Sequence, residues 1–474
     1  MTHTRSVTHF SASTLCRAST KQSLAVLSVI ALVGSMLSPP ALVSAQIPTP
    51  PPEVLKEVNK QKNKPATTPN RGGVPKLDPK AKVPITETIV GRVLKQVDSR
   101  DLLLDITLRV DGYGRIYPDR TVVSEQIRFE TAAVIFPIPP VTSTSSGSFA
   151  RRDSVDFTAE LMFDNMVLPA PPTIISGYSG GQQFYKWTAT DTDAKTMLLK
   201  LKLPVTCSKL VFDEQLAMNV PWPANGYPEA VNSVMQTQLG VDYMHNLPGK
   251  PEEQRAQTQV VIDDLVKKWT GAEDPKKLGP VHLAKYLAGQ TMELLQPSGD
   301  GKAFNRNTSF SGFDLQGTLA TLQTRKGSEY DIHCALTAIY RRVGLPARVI
   351  IGRDRGGNST NRERFRSWVE FAIVDPITNT EVWVPVDIVR QRNTSSRAPS
   401  LERSWEFFGG IVDFQQVVPL SFHFHPPTTV DNAGAPCLWG WLTTPTSQIA
   451  TQTISMNLTA APVRGKDREK DAKK

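Results

Sequence analysis

The sequence predicts an α+β protein in two halves: an N-terminal antiparallel, sandwich-like β domain followed by a mixed helix–strand domain. Three observations carry this. Apolar residues alternate with polar ones between about residues 86 and 215, apolar residues recur at helical spacing from about 228, and one core-facing helix followed by three strands lies between Lys326 and Asp387.

Two segments precede the β half. Residues 1–22 are polar and carry Arg5, Arg17 and Lys21 with no acid, and Ser23–Leu37 is an uninterrupted apolar run ahead of Val43-Ser44-Ala45. This is the layout of a secretory signal cleaved after Ala45. As a helix the run spans only ~22 Å, against a hydrocarbon core of ~30 Å, so export is expected with no membrane contact beyond this segment. Residues 46–85 are rich in Pro, Lys, Thr and Asn, with few large apolar side chains, and read as a disordered linker. The net charge of +9 falls to about +6 without the signal, too mild an excess to indicate nucleic acid. Of the four cysteines, Cys207, Cys334 and Cys437 remain after cleavage, an odd, widely spaced set that does not define the fold. Neither a zinc-type Cys/His spacing nor a phosphate-binding glycine loop occurs, so no metal or cofactor is expected. His423 and His425 alone are a weak metal signal and read as a packed or solvated strand end.

The β-rich domain is placed at 86–227. Leu104, Ile106, Leu108 and Val110 alternate with polar residues; so do Val155 to Phe163 and Met197 to Leu203. Successive strand side chains point to opposite faces, so each run is a half-buried strand. Tyr185 and Trp187 are core candidates here. A second domain is placed at 228–430 and a C-terminal β extension with a charged tail at 431–474. Pro251 opens a helix with acids in its first turn, Lys267 and Lys268 in its last, and Gly271 as its stop. The core-facing helix carries Ile332, Ala335, Leu336, Ile339 and Val343 at helical spacing, with Ser328 as its N-cap and Gly344 as its stop. Strands follow at Leu345–Gly352, Arg366–Val374 and Glu381–Asp387.

This order, with Arg341-Arg342-Val343-Gly344-Leu345-Pro346-Ala347-Arg348, Arg366-Ser367-Trp368-Val369-Glu370 and Trp383-Val384-Pro385-Val386-Asp387, resembles the core of the transglutaminase-like superfamily, which shares the papain-like fold. The resemblance implies a Cys/His/Asp site. Counting fifteen residues back from Gly344 places Glu329 at the family's Cys. The family's His, two residues before the Trp, is Arg366 here, and only the Asp is retained, as Asp387. Arg348, Trp368 and Trp383, from the same motifs, are the candidate binding residues.

A thiolate at a helix start is stabilised by exposed N–H groups and the helix dipole, and an imidazole beside it shuttles the proton. A carboxylate at Glu329 keeps the dipole but is a poor nucleophile, and Arg366 stays protonated and shuttles nothing. The two are expected to form a carboxylate–guanidinium ion pair, giving a pseudo-triad Glu329/Arg366/Asp387. Cys334, the alternative nucleophile, lies five residues on, ~140° around the helix and ~7.5 Å along it, and reads as a small buried core residue. His333 shares a face with Glu329, an acid/base pair without a nucleophile beside it.

Arg353–Arg366 is a basic loop beside the cleft, which Arg390, Arg392 and Arg397 extend as a rim. Sequons at Asn307, Asn358, Asn393 and Asn457 matter only in a glycosylating pathway. The expectation is a secreted or cell-envelope protein, catalytically inactive, whose partner is a protein or envelope polymer; the alternative is an active cysteine transamidase or peptidase using Cys334.

Overall fold

A computed structural model describes residues 93–461 except 113, 117–121, 125–126, 139–156, 176–181, 237–249, 305–309, 356–364, 375–379, 423, 425–436 and 445–449. The signal, the linker, Asn307, Asn358, the two-histidine segment, most of the basic loop and the charged tail lie outside these residues.

The N-terminal half is built on strands β1 (Leu94–Gly112), β2 (Ile127–Ile138), β3 (Thr158–Phe163), β4 (Met166–Val167), β5 (Thr173–Ile175), β6 (Gln183–Ala194) and β7 (Thr196–Phe212). Alternation does here what strand geometry requires: Leu104, Ile106 and Leu108 of β1 and Leu199, Leu201 and Leu203 of β7 are buried in one apolar cluster with Val134 and Phe136 of β2 and Trp187 of β6. β1 and β7 pair antiparallel over most of their length, from Leu94↔Phe212 to Asp111↔Thr196, broken by an irregularity between Val97 and Arg100.

The second half carries α1 (Glu214–Ala217), α2 (Glu229–Gln236), α3 (Pro251–Thr270), α4 (Pro280–Leu294), α5 (Thr318–Thr324), α6 (Glu329–Arg342) and α7 (Ile388–Thr394). Its sheet has β8 (Ala347–Asp354), β9 (Phe365–Val374), β10 (Glu381–Val386) and β11 (Val417–Ser421) in the order β10-β9-β8-β11, all antiparallel. α3 starts at Pro251 and closes on Gly271 in the left-handed region (φ 64°), where a glycine carries no Cβ penalty. Among the described residues no helix is long and apolar enough to cross a membrane.

The chain then returns to the first half. β12 (Gly440–Thr444) pairs with β2, and β13 (Ala450–Ala460) pairs with β1 from Leu102↔Ala460 to Gly112↔Ala450. The two sandwich sheets are therefore β13-β1-β7-β3-β4 and β12-β2-β6-β5. The same apolar cluster runs on into the second half through Phe310, Phe313, Tyr330, Val349 and Phe365. This continuous core holds β8 and β9 in place against the sandwich.

Candidate functional site

The site forms where α6 starts against β9. Ser328 caps the helix: its hydroxyl accepts the Asp331 N–H at 3.2 Å, and Asp331 Oδ2 accepts the Ser328 N–H at 3.1 Å. This reciprocal box sets Glu329 as the first helical residue, as the spacing predicts. β9 outlasts β10: their register begins at Val369↔Val386, so Ser367 lies beyond the last paired residue. The Ser367 N–H donates to Glu329 Oε1 at 3.0 Å.

One turn along α6, His333 Nδ1 lies 2.8 Å from Ser367 Oγ, and its Nε2 lies 3.4 Å from Asp387 Oδ1, an ion-pair distance without hydrogen-bond alignment. Asp387 is the N-cap of α7, its Oδ1 accepting the Arg390 N–H at 2.9 Å. Arg366 donates from Nε to Asp387 Oδ2 at 3.0 Å and from Nη1 to both oxygens of Asp413 at 2.9 Å, with its guanidinium over the Phe414 ring. Arg390 bonds Asp413 and Asp354. His333, Ser367, Arg366 and Asp387 are buried, and Glu329 is half-buried.

Burial pushes the Asp387 carboxyl up, but Arg366 and His333 outweigh it and hold that carboxyl well below the usual range. Burial works against the charge on Arg366, and Asp387 and Asp413 more than compensate, raising its value. Glu329 differs: burial pushes its carboxyl up and Asp387 adds to the rise, against weaker pulls from His333, the Ser367 N–H and Arg366.

The expected Glu329–Arg366 ion pair does not form. The guanidinium is taken by Asp387 and Asp413, and Glu329 instead accepts a backbone N–H left free by the end of β10. Cys334 is fully buried in the apolar cluster that includes Val349, Ile351 and Phe365. The candidate binding residues are also interior. Arg348 bonds Glu370 Oε2 at 2.9 and 2.7 Å and is stacked between Trp383 (3.9 Å) and Phe422 (4.5 Å). Trp368 is buried, donates to Glu370 and packs on Phe414. These three hold the sheet together and present no open surface, because the guanidinium has its counter-charge and its aromatic faces within the core.

Of the basic rim, Arg390 joins the acidic residues above, and Arg392 donates to Gln296 and the Leu295 carbonyl. Sequence reasoning missed Ser367 and Asp413. Ser367 was visible as the residue between Arg366 and Trp368; Asp413 stands alone in sequence and carried no signal. Among the described residues no cluster has the make-up of a metal site. A cavity of about 530 Å³ opens at the other end of α6, lined by Asp263, Lys267, Lys276, Arg342 and Gly344, away from Glu329.

The C-terminal part of the chain carries a transglutaminase-like domain. Residues 283–388 match the model of the Transglutaminase-like superfamily core. Among solved structures, a provisionally assigned cysteine protease from Cytophaga hutchinsonii is similar at 12% identity and a TM-score of 0.44, over 79% of this chain and 94% of that one. A provisionally assigned protease from Parabacteroides distasonis is similar at 9% identity and a TM-score of 0.19, over 61% of this chain and 62% of that one. No curated protein matches the chain.

Proposed function

We propose that this chain is an exported, non-catalytic transglutaminase-like protein that serves as a binding or scaffold module of the cell envelope, with the start of α6, where Glu329 is half-buried, and the β sandwich as its contact surfaces. The observation that carries the proposal is Arg366. It stands where the family has its base and is locked between Asp387 and Asp413, so it moves no proton. The helix start offers a carboxyl in place of a thiol, and Cys334 is sealed in the core. Amine-incorporation and peptidase assays should give no turnover above buffer; iodoacetamide-sensitive turnover abolished by C334A overturns the proposal. Export is tested by N-terminal sequencing of the mature protein, expected to begin at Gln46, and the scaffold role by co-sedimentation with insoluble envelope polymer.

One contact favours a second reading, an acyl-transfer enzyme with Ser367 as nucleophile. Its hydroxyl lies 2.8 Å from His333, whose other nitrogen faces Asp387, the order of groups in a Ser/His/Asp triad. Its complete burial opposes that reading. A fluorophosphonate probe that labels native protein and not S367A decides for the enzyme; no labelling decides for the binding module.

A further inference from the structure

We propose that the strip Met166–Ile175, along one edge of the β sandwich, is a lipid-binding surface that seats in the outer layer of an anionic bilayer. It rests on the proposed function only for the envelope location, and it adds a membrane contact to the one the sequence assigns to Ser23–Leu37.

From Asn165 to Ile175 the chain has no charged side chain, and only Asn165 and Thr173 are polar. Such a run is ordinarily turned inward. Here Met166 is 72% exposed, Val167 52% and Ile174 47%, and Pro169, Ala170 and Pro171 between them are exposed as well. The other exposed large apolar residues among the described ones, Val211, Val260, Phe304 and Val412, stand singly on separate elements, as on most soluble surfaces.

The strip is held out by its backbone. Asp164 and Asn165 both adopt the left-handed region, with φ 46° and 70°, and turn β3 tightly into β4. The Asp164 N–H donates to the Thr196 carbonyl, and its carboxylate accepts the N–H groups of Lys195 and Thr196, each at 2.9 Å. The Leu168 N–H donates to the Leu161 carbonyl at 2.7 Å, and Thr173–Ile175 pair with Lys186–Phe184 of β6. β4 ends one sheet and β5 ends the other, so Leu168–Pro172 cross the sandwich edge between them. The apolar side chains are therefore exposed by a paired framework and cannot fold back into the core.

Charge and area select the occupant. The carboxylate at the base of the strip, Asp164, is taken by backbone N–H groups. Lys195 beside it is exposed, Lys186 opposite Thr173 is half-exposed, and among the described residues neither is in an ion pair. Glu160, further along β3, stands opposite Lys200. An apolar strip with ammonium groups at its margin matches a bilayer whose acyl region lies beneath anionic headgroups. The three large side chains expose on the order of 300 Å², well below the ~800 Å² per partner of a stable protein interface. A lipid surface needs no complementary partner and admits an apolar strip to a depth of about 5–10 Å.

The test is flotation of the purified chain with vesicles of equal parts phosphatidylglycerol and phosphatidylethanolamine. Wild type should float, M166E/V167E should partition about tenfold or more weakly at unchanged Tm, and K195E should weaken binding at low salt more than at high salt. Absence of flotation overturns the proposal. So does equal flotation of wild type and M166E/V167E, the result if only Ser23–Leu37 or general charge acts. A wild-type dimer that M166E/V167E dissociates in sedimentation assigns the strip to a second copy and overturns it too. Should the double variant not fold, M166C in a C16S chain carries a nitrobenzoxadiazole label, because Cys207, Cys334 and Cys437 are buried. Its emission should shift to the blue on the anionic vesicles, and an unshifted emission overturns the proposal. Turnover assays and co-sedimentation with lipid-free envelope polymer read the proposed function separately, so failure of either reading is told from failure of the other.

Discussion

Replacing Arg366 by Met is the sharpest probe of the site. The guanidinium is held by two carboxylates of different surroundings. Asp413 is about one-third exposed, so its share resembles a surface pair and is worth about 0–1 kcal/mol. Asp387 is 1% exposed, and without Arg366 its charge keeps the Arg390 N–H, a misaligned His333 and the Arg390 guanidinium at 3.9 Å. Leaving such a charge wholly uncompensated costs about 3–5 kcal/mol, and Arg390 offsets part of it, so R366M should lose up to about that much. D387N should also destabilise, by stranding Arg366. The double variant R366M/D387N leaves neither charge alone and should cost less than the sum by about 1–3 kcal/mol. The pair R366M and E329Q should couple less strongly than that, because no direct bond joins those side chains. Urea unfolding followed by tryptophan fluorescence, at constant m, measures both cycles. A larger coupling for 366 with 329 than for 366 with 387 would refute the assignment of partners.

Four further outcomes are expected. Because Asp387 has a folded value below its unfolded one of about 3.9, its stabilisation is present above that value and lost as pH falls below it; acid-unfolding curves of D387N should be flatter on the acid side than wild type. Cys334 should resist iodoacetamide in native protein and react in urea, which mass spectrometry of the labelled peptide reads directly. R348K should lose about 2 kcal/mol or more in urea unfolding, since an ammonium cannot both bond Glu370 with a fork and stack flat between Trp383 and Phe422. G409A should lose at least about 2 kcal/mol, read as a lowered Tm: Gly409 has φ 77°, and a Cβ there would fall 2.0 Å from the Phe212 ring.

Much of the local architecture was legible before any coordinates. Strand alternation placed Leu104–Val110 and Met197–Leu203 with their apolar faces inward, since a two-residue period leaves one answer for which side is buried. The Ser328 cap, the acidic first turn and the glycine stop framed α6, because capping is decided within four residues. Rotation along that helix also marked Cys334 as a buried core residue. The return of β12 and β13 to complete the sandwich was not legible: a strand's pairing edge is open, and 474 residues offer many partners.

The sequence by itself therefore determined the strands around Leu104–Val110 and Met197–Leu203, the helices α3 and α6, and that a carboxyl, not sulfur, opens α6. Only the tertiary structure decided which groups that carboxyl and Arg366 meet. Arg366 finds Asp413, 47 residues away, and Glu329 finds a backbone N–H exposed by a strand that stops short. Periodicity and capping act between neighbours in the chain, whereas ion pairing depends on which side chains approach within about 4 Å, and in a buried, low-dielectric corner the nearest well-aligned partner takes the charge.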